Sequence, residues 1–239
     1  MDFSQEELVE AIDRLVTGML ERAGVTAPPV NALVLAENHL GIPVEWVEPA
    51  EGDESGRHRP RARHSGGIAL TTNMTAEQQQ RAAADGVARL LLPEICHKLN
   101  VPLGSESKQF ATHVRGLTLA RVLVPPRMLR AALRDCKYDV PALQKVFSTA
   151  SMEAVAARLL DLDQPCVIAV VDDGVVASRR GNRVPATRKL EPAEQECVDR
   201  VMELDLPHRA RIGEWTAWGW PVPNRPFRRI ILRAVPDDV

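Results

Sequence analysis

The N-terminal segment has the spacing of a capped amphipathic helix. Ser4 and Glu7 lie three residues apart, a capping-box pattern in which each side chain bonds the backbone N–H of the other residue. Apolar residues then recur every three or four positions until Gly24, a typical helix stop. The pattern predicts a helix with an acidic outer face and an inner face made of Leu8, Ile12, Leu15, Val16, Met19 and Leu20.

The next part of the chain changes from a helical to an extended pattern. Residues 30–41 predict a second helix that ends at Gly41, and residues 43–47 predict a short strand. Residues 50–67 contain no periodic apolar residue, which predicts a solvated basic loop rather than a packed element. His58 and His64 in this loop offer only a weak alternative as metal ligands.

A strand and three helical segments follow. Residues 66–73 predict the strand, and Thr75 with Gln78 caps a helix that we expect to end near Leu92, before a proline. Residues 110–124 predict another helix, and Pro126 lies where proline suits the first turn of the next one. Residues 139–162 show two short apolar repeats around a polar turn, the spacing of a helix-turn-helix.

The chain becomes rich in strands from Pro165 onward. Asp172-Asp173-Gly174 is a strong signal for a short hairpin, and a helix is predicted over residues 192–204. Residues 213–222 and 227–235 predict two further strands. We therefore predict an α+β fold with a helical lobe over residues 1–164, including the helix-turn-helix-like segment 139–162, and a small β-rich C-terminal domain over residues 165–239.

Charge and composition narrow the classes of function. Residues 1–54 hold 12 acidic residues against two arginines, whereas the rest of the chain holds 28 basic and 20 acidic residues. Aromatic residues make up only 4% of the chain, which disfavours a single-strand binder built on base stacking. The arginine-rich C-terminal region leaves nucleic-acid binding open. The three tryptophans among residues 215–220 fit core packing better than a recognition patch.

The four cysteines and the N-terminus indicate a reducing compartment. Cys96, Cys136, Cys166 and Cys197 lie far apart and form no Cys-x-x-Cys pair, so free, buried thiols are the simplest expectation. The N-terminus is acidic where a secretory signal would be basic, and no run of 18 apolar residues occurs. We expect a cytoplasmic protein that does not cross a membrane.

Several short sequence motifs in residues 30–162 follow one another in a characteristic order. Residues 39–44 read HLGIPV, residues 67–70 fit a strand, residues 84–92 fit a site helix, and residues 119–125 fit the end of a second helix. In this order the segment resembles the ImmA/IrrE-type zinc-metallopeptidase-like family. The resemblance implies a peptidase-like fold with an active-site helix of the form A-H-E-x-G-H-x-L-L.

The residues that such a zinc site needs are missing at the matching positions. The resemblance places Asp85 and Arg89 where two zinc-binding histidines belong, Gly86 where the general base belongs, and Val114 at the third ligand. Asp85 and Arg89 are spaced as an i,i+4 ion pair that would occupy the space of the metal, or alternatively two solvated side chains. No cofactor is expected unless Glu94, His97 and His113 form a displaced zinc site.

Three hypotheses of function follow. The first is a catalytically inactive, metallopeptidase-like regulatory protein that binds a protein partner. The second is a zinc metalloendopeptidase that uses the displaced ligands to cleave a regulatory protein. The third is a DNA-binding regulator whose recognition helix would start near Ser151, although its first turn is poor in basic residues. The lost motif residues disfavour enzymatic activity.

Overall fold

The computed structural model describes residues 3–49, 66–102, 104 and 107–237, which fall into two compact units. The first contains the chain up to Asp135 together with Val146–Ala150, and the second contains Cys136–Lys145 and the chain from Ser151 onward. Helices dominate the first unit and an antiparallel sheet the second, so the predicted α+β class is confirmed. The predicted domain boundary at residue 164 differs from this division, since residues 136–145 and 151–164 group with the sheet.

The first helix, α1 (Gln5–Arg22), begins as predicted. The Ser4 backbone N–H donates to Glu7 Oε2 at 2.6 Å and the Glu7 N–H donates to Ser4 Oγ at 3.1 Å, which completes the capping box. The six apolar residues assigned to its inner face are all buried. A short helix, α2 (Ala32–Val34), continues as a π-helical turn over Leu35–His39, and Gly41 ends the segment with a φ of +63°.

Two short strands and a long helix follow in the first unit. Strand β1 (Val44–Val47) pairs in parallel with β2 (Ile68–Thr71), in the register Val44 opposite Ile68. Helix α3 (Ala76–Lys98) starts at the predicted Thr75 cap but does not end near Leu92, so that prediction is wrong. Ile95 and Cys96 beyond the proline are fully buried, and this burial offsets the hydrogen bond that Pro93 cannot donate.

The remaining helices of the first unit are close to the predicted ones. Helix α4 spans Lys108–Leu123 and α5 spans Pro126–Cys136, with the proline in the first turn as expected. The Arg121 side chain of α4 is only 1% exposed, and its Nε donates to Asp13 Oδ1 of α1 at 2.6 Å. A buried arginine with a carboxylate partner ties these two helices together.

The second unit is built around a five-stranded antiparallel sheet with the order β4-β3-β7-β6-β5. Two short helices precede it, α6 (Val140–Val146) and α7 (Met152–Arg158), which confirm the pair of helices predicted within residues 139–162. The later elements are β3 (Val167–Asp172), β4 (Val175–Gly181), α8 (Pro192–Leu204), β5 (His208–Ile212), β6 (Trp215–Val222) and β7 (Arg229–Pro236).

The hairpin of β3 and β4 closes at the predicted turn. Asp173 and Gly174 have φ values of +46° and +80°, the pair of positive φ angles that a two-residue turn of this hand requires. Helix α8 packs against one face of the sheet, where the core residues include Val171, Val198 and Leu232. Strand β5 was missed because Ala210 is its only buried residue, so its sequence carries almost no apolar signal.

None of the helices in the described ranges combines the length and the apolar character that crossing a bilayer requires.

A buried ion pair joins β4 to α8 and generates a stability prediction. Arg179 Nε lies 3.1 and 3.0 Å from the two carboxylate oxygens of Glu194, whose side chain is 0% exposed. Replacing Glu194→Gln leaves the buried guanidinium with only the longer ion-pair contact to Glu191, 3.9 Å from Arg179 Nη2, which should lower the free energy of unfolding by roughly 3 kcal/mol. Fluorescence-monitored urea unfolding reports this unit, because three of the four tryptophans lie in it.

The matched control removes an exposed pair of the same unit. Arg183 Nη2 lies 2.7 Å from Asp163 Oδ1, with side chains 62% and 98% exposed. Arg183→Ala should leave the unfolding midpoint unchanged, because solvent screens exposed ion pairs. If the two substitutions changed the stability equally, the buried pair would contribute no more to it than the exposed pair.

Candidate functional site

Asp85 of α3 is held by an arginine from the neighbouring helix. Nη2 of Arg115 on α4 lies 2.7 Å from both carboxylate oxygens of Asp85, and the Asp85 side chain is 15% exposed. The expected partner, Arg89, lies farther away, with its Nε 3.7 Å from Asp85 Oδ2. The predicted site residues Asp85 and Arg89 therefore lie close together. The closer partner of Asp85, however, is Arg115, which the sequence analysis missed.

The sequence gives little indication that Arg115 is a partner of Asp85. It directly follows Val114, the position matched to the third zinc ligand, but an arginine inside a helix is commonly a solvated residue. Only the packing of α3 against α4 shows that it faces Asp85. The side chains of Asp85 and Arg115 are 15% and 29% exposed, so the pair is partly shielded from water and less screened than a surface pair.

The two other matched positions are filled by packing. A Cβ atom built on Gly86 would lie 2.4 Å from Cγ1 and 2.6 Å from Cδ1 of Ile68 on β2, so α3 and β2 approach too closely for any larger residue. Val114 is fully buried and offers no metal ligand. A general-base side chain at residue 86 has no room, and the four positions do not fit a zinc ion.

The displaced zinc site is not formed either. Because α3 continues through Pro93, Glu94 and His97 lie on its last two turns with exposed side chains, and His113 is exposed on α4. Among the residues that the structure describes, no three His, Cys, Asp or Glu side chains come together as a metal-binding group, and Glu94, His97 and His113 form no such group. His58 and His64 lie outside the described residues.

The cysteines are free thiols in packed surroundings. Cys96, Cys166 and Cys197 are buried and Cys136 is half-buried. Burial raises the pKa of the Cys197 thiol to about 11 and also raises the pKa of the Cys166 thiol, against the opposing charge of Arg233. A nucleophilic cysteine needs a lowered pKa, so neither thiol is prepared for catalysis.

The first turn of α7 faces its own unit. Met152 is buried, and the Glu153 carboxylate accepts hydrogen bonds from Arg225 Nη2 at 3.0 Å and from Arg229 Nη1 at 2.8 Å. Burial alone would raise the pKa of Glu153, but its bonds to Arg229 and the charge of Arg225 lower it overall. Arg158, the basic residue of this helix, is buried and paired with Asp161. This helix end is a packed part of the unit.

Part of the arginine-rich C-terminal region is paired with carboxylates of its own unit. Arg229 is fixed by Asp172, with Nε–Oδ1 and Nη2–Oδ2 distances of 2.7 Å, and these bonds lower the pKa of Asp172. Arg211 Nε donates to Asp237 Oδ2 at 2.8 Å, and Arg228 Nη1 donates to the Met202 carbonyl. Arg180, Arg188 and Lys189 of this region are exposed, and no ion pair is seen for them among the described residues.

The tryptophan cluster combines core packing with stacked cations. Trp220 is buried, as expected for a core residue. Trp218 lies between two guanidinium groups, with the Cζ atoms of Arg209 and Arg233 at 5.2 and 5.1 Å from its ring centroid. Arg233 also lies 4.7 Å from the Tyr138 ring, and burial lowers its pKa. The rings supply the favourable electrostatic environment that a carboxylate supplies elsewhere.

Comparison with known proteins identifies the fold. No known family model matches the sequence, and no curated protein is similar to it at a significant level. A solved structure described as a Mycobacterium tuberculosis transcriptional regulator superposes with a TM-score of 0.69 at 15% sequence identity. The match covers 95% of this chain and 76% of that chain. The two proteins therefore share a fold.

The close approach of α3 to β2 gives a prediction with a matched control. Gly86→Ala should lower the free energy of unfolding by about 1–3 kcal/mol, because the new methyl group overlaps the buried Ile68 side chain. Gly116→Ala on α4 meets no atom within 4 Å and should raise stability by about 0.5–1 kcal/mol through helix propensity. Thermal unfolding of both variants checks the sign; a stabilised Gly86→Ala would contradict the packing.

Proposed function

We propose that this chain is a catalytically inactive, metallopeptidase-like regulatory protein that binds a protein partner. The observation that carries the proposal is the Asp85–Arg115 ion pair at the position matched to the first zinc ligand. We propose further that residues 30–162 are related to the ImmA/IrrE-type family and that this chain has lost the zinc-binding residues of that family.

The ion pair explains how such a fold remains stable without a metal. A zinc ion bound by residues of two helices would link them and supply positive charge to its ligands. Here the guanidinium of Arg115 supplies positive charge to the Asp85 carboxylate and links α4 to α3. Because Arg89 also lies near Asp85, a metal ion at this point would be repelled by two positive side chains. A divalent metal ion would have to displace both arginines.

The structural comparison does not bear on this proposal. The similar solved structure is described as a transcriptional regulator, which favours the second candidate below instead. At 15% identity the comparison carries no residue role, so the proposal depends on the geometry around Asp85.

A double-mutant cycle combined with metal analysis tests the proposal. Asp85→Asn and Arg115→Gln should each destabilise the first unit, and the pair should show a coupling energy of about 1–3 kcal/mol in denaturant unfolding. The purified wild-type chain should contain far less than one zinc ion per molecule, and chelator should not change its unfolding midpoint. The matched control is Arg127→Gln, which breaks an exposed pair with Glu21.

Two results would overturn the proposal. The first is one zinc ion per chain that disappears in Asp85→Asn, which would make Asp85 a ligand. The second is metal-dependent cleavage of a protein substrate by the wild type that Asp85→Asn abolishes. Additive single mutants without metal would instead show that the ion pair does not connect the helices, and would remove the observation that carries the proposal.

A DNA-binding regulator is the second candidate. The name of the structural relative favours it, as do Arg180, Arg188, Lys189 and Arg209, which are exposed. The packed first turn of α7 disfavours that helix as the recognition element, so binding would have to use the sheet and the segment before α8. Such contacts would be directed mainly to phosphates.

The salt dependence of DNA affinity tests this candidate. If the chain binds duplex DNA, the logarithm of its affinity should fall linearly with the logarithm of salt concentration, by about 0.9 for each neutralised phosphate. Replacing Arg180, Arg188 and Lys189 together by Ala should reduce that slope. Arg200→Ala removes one cation that is already paired with Glu196 and should not change it. Undetectable or salt-insensitive binding would contradict the candidate.

A further inference from the structure

The second unit contains an open cavity of about 850 Å³ at one end of its sheet. Its walls come from α6, the first residue of α7, the end of α8 and the segment that joins β6 to β7, all within this unit. Pockets that bind small molecules commonly have volumes of roughly 300–1,000 Å³. The size therefore suits a small organic molecule.

Part of the lining of the cavity is apolar. It includes Met152 and Trp220, together with the half-buried ring of Phe227 and several prolines. Val201 and Ile230 of the lining also belong to the core of the unit. Apolar side chains with a few fixed polar groups are the usual lining of a site for organic ligands.

The lining also carries charged side chains, of which more are cationic than anionic. Four cationic side chains line the cavity, whereas only two carboxylates, those of Asp173 and Asp205, do so. Asp173 is further engaged, since its Oδ1 accepts the backbone N–H of Arg228 at 3.0 Å. The cations are Lys145, Arg225, Arg228 and Arg229.

Two of these arginines are held in place by residues that are not part of the lining. Arg225 bonds Glu153, and Arg229 bonds both Glu153 and Asp172. Arg229 also stacks on the Phe227 ring, with its Cζ atom 5.0 Å from the ring centroid. Guanidinium groups fixed by partners outside the lining are pre-organised and pay less conformational entropy on binding. Lys145 is exposed at the edge and adds a mobile cation.

We propose that this cavity binds a small organic anion that has one carboxylate and an apolar body. The carboxylate would contact the cationic side chains of the lining, and the body would pack against Met152 and Phe227. This site goes beyond the regulatory function proposed above and does not depend on the Asp85–Arg115 pair, which belongs to the first unit. It gives the chain a way to respond to a small molecule.

Calorimetric titration of the full chain with octanoate and phenylacetate tests the site. Each acid should bind saturably with a dissociation constant near or below about 1 mM, as its size allows. The alcohols of the same skeleton, 1-octanol and 2-phenylethanol, should bind at least about tenfold more weakly because they lack the charge. Lys145→Glu should weaken acid binding by roughly fivefold.

The control for net charge is Lys189→Glu, an exposed lysine that is absent from the cavity walls. It changes the total charge by the same amount and should leave acid binding unchanged. A second variant, Phe227→Ala, should weaken octanoate and 1-octanol alike, because it removes apolar contact only. The proposal is overturned by no saturable acid binding, by alcohols that bind as tightly as acids, or by equal effects of Lys145→Glu and Lys189→Glu.

Discussion

The contact between Asp85 and Arg115 joins the two long helices α3 and α4 of the first unit. It places a guanidinium against a partly shielded carboxylate, and the proposed loss of metal chemistry depends on it. The neighbouring positions agree with it, since Gly86 lies against Ile68 and Val114 is buried. The charge, the space and the side chains at these positions do not fit a zinc ion. The proposal of a binding role depends on these three observations together.

The same type of interaction organises the second unit. Arginine and carboxylate side chains pair repeatedly there, from the buried Arg179–Glu194 pair to the network of Glu153, Asp172, Arg225 and Arg229. Where no carboxylate is at hand, Arg233 lies against aromatic rings instead. A chain with many arginines does not therefore present an equally basic surface, because much of the charge is used to join strands, helices and loops.

The two proposed binding surfaces also differ in whether their cations are paired with carboxylates. The exposed cations Arg180 and Arg188 lie on β4 and in the segment before α8, and these would meet an extended polyanion. Two of the four cations around the cavity, Arg225 and Arg229, are fixed by internal carboxylates, and apolar side chains share the lining, which suits one small anion better than a row of phosphates. The difference follows from the surroundings of the arginines and not from their number.

The sequence by itself determined the features that depend on neighbouring residues. The Ser4 and Thr75 caps, the inner face of α1, the Asp173-Gly174 turn and the start of α8 were all predicted, because each arises from local hydrogen bonding or apolar spacing. The tertiary structure decided the continuation of α3 through Pro93, the edge strand β5 and the pairing of Asp85 with Arg115. These depend on burial and on contacts between residues far apart in the chain, and a pattern of neighbouring residues contains no record of them.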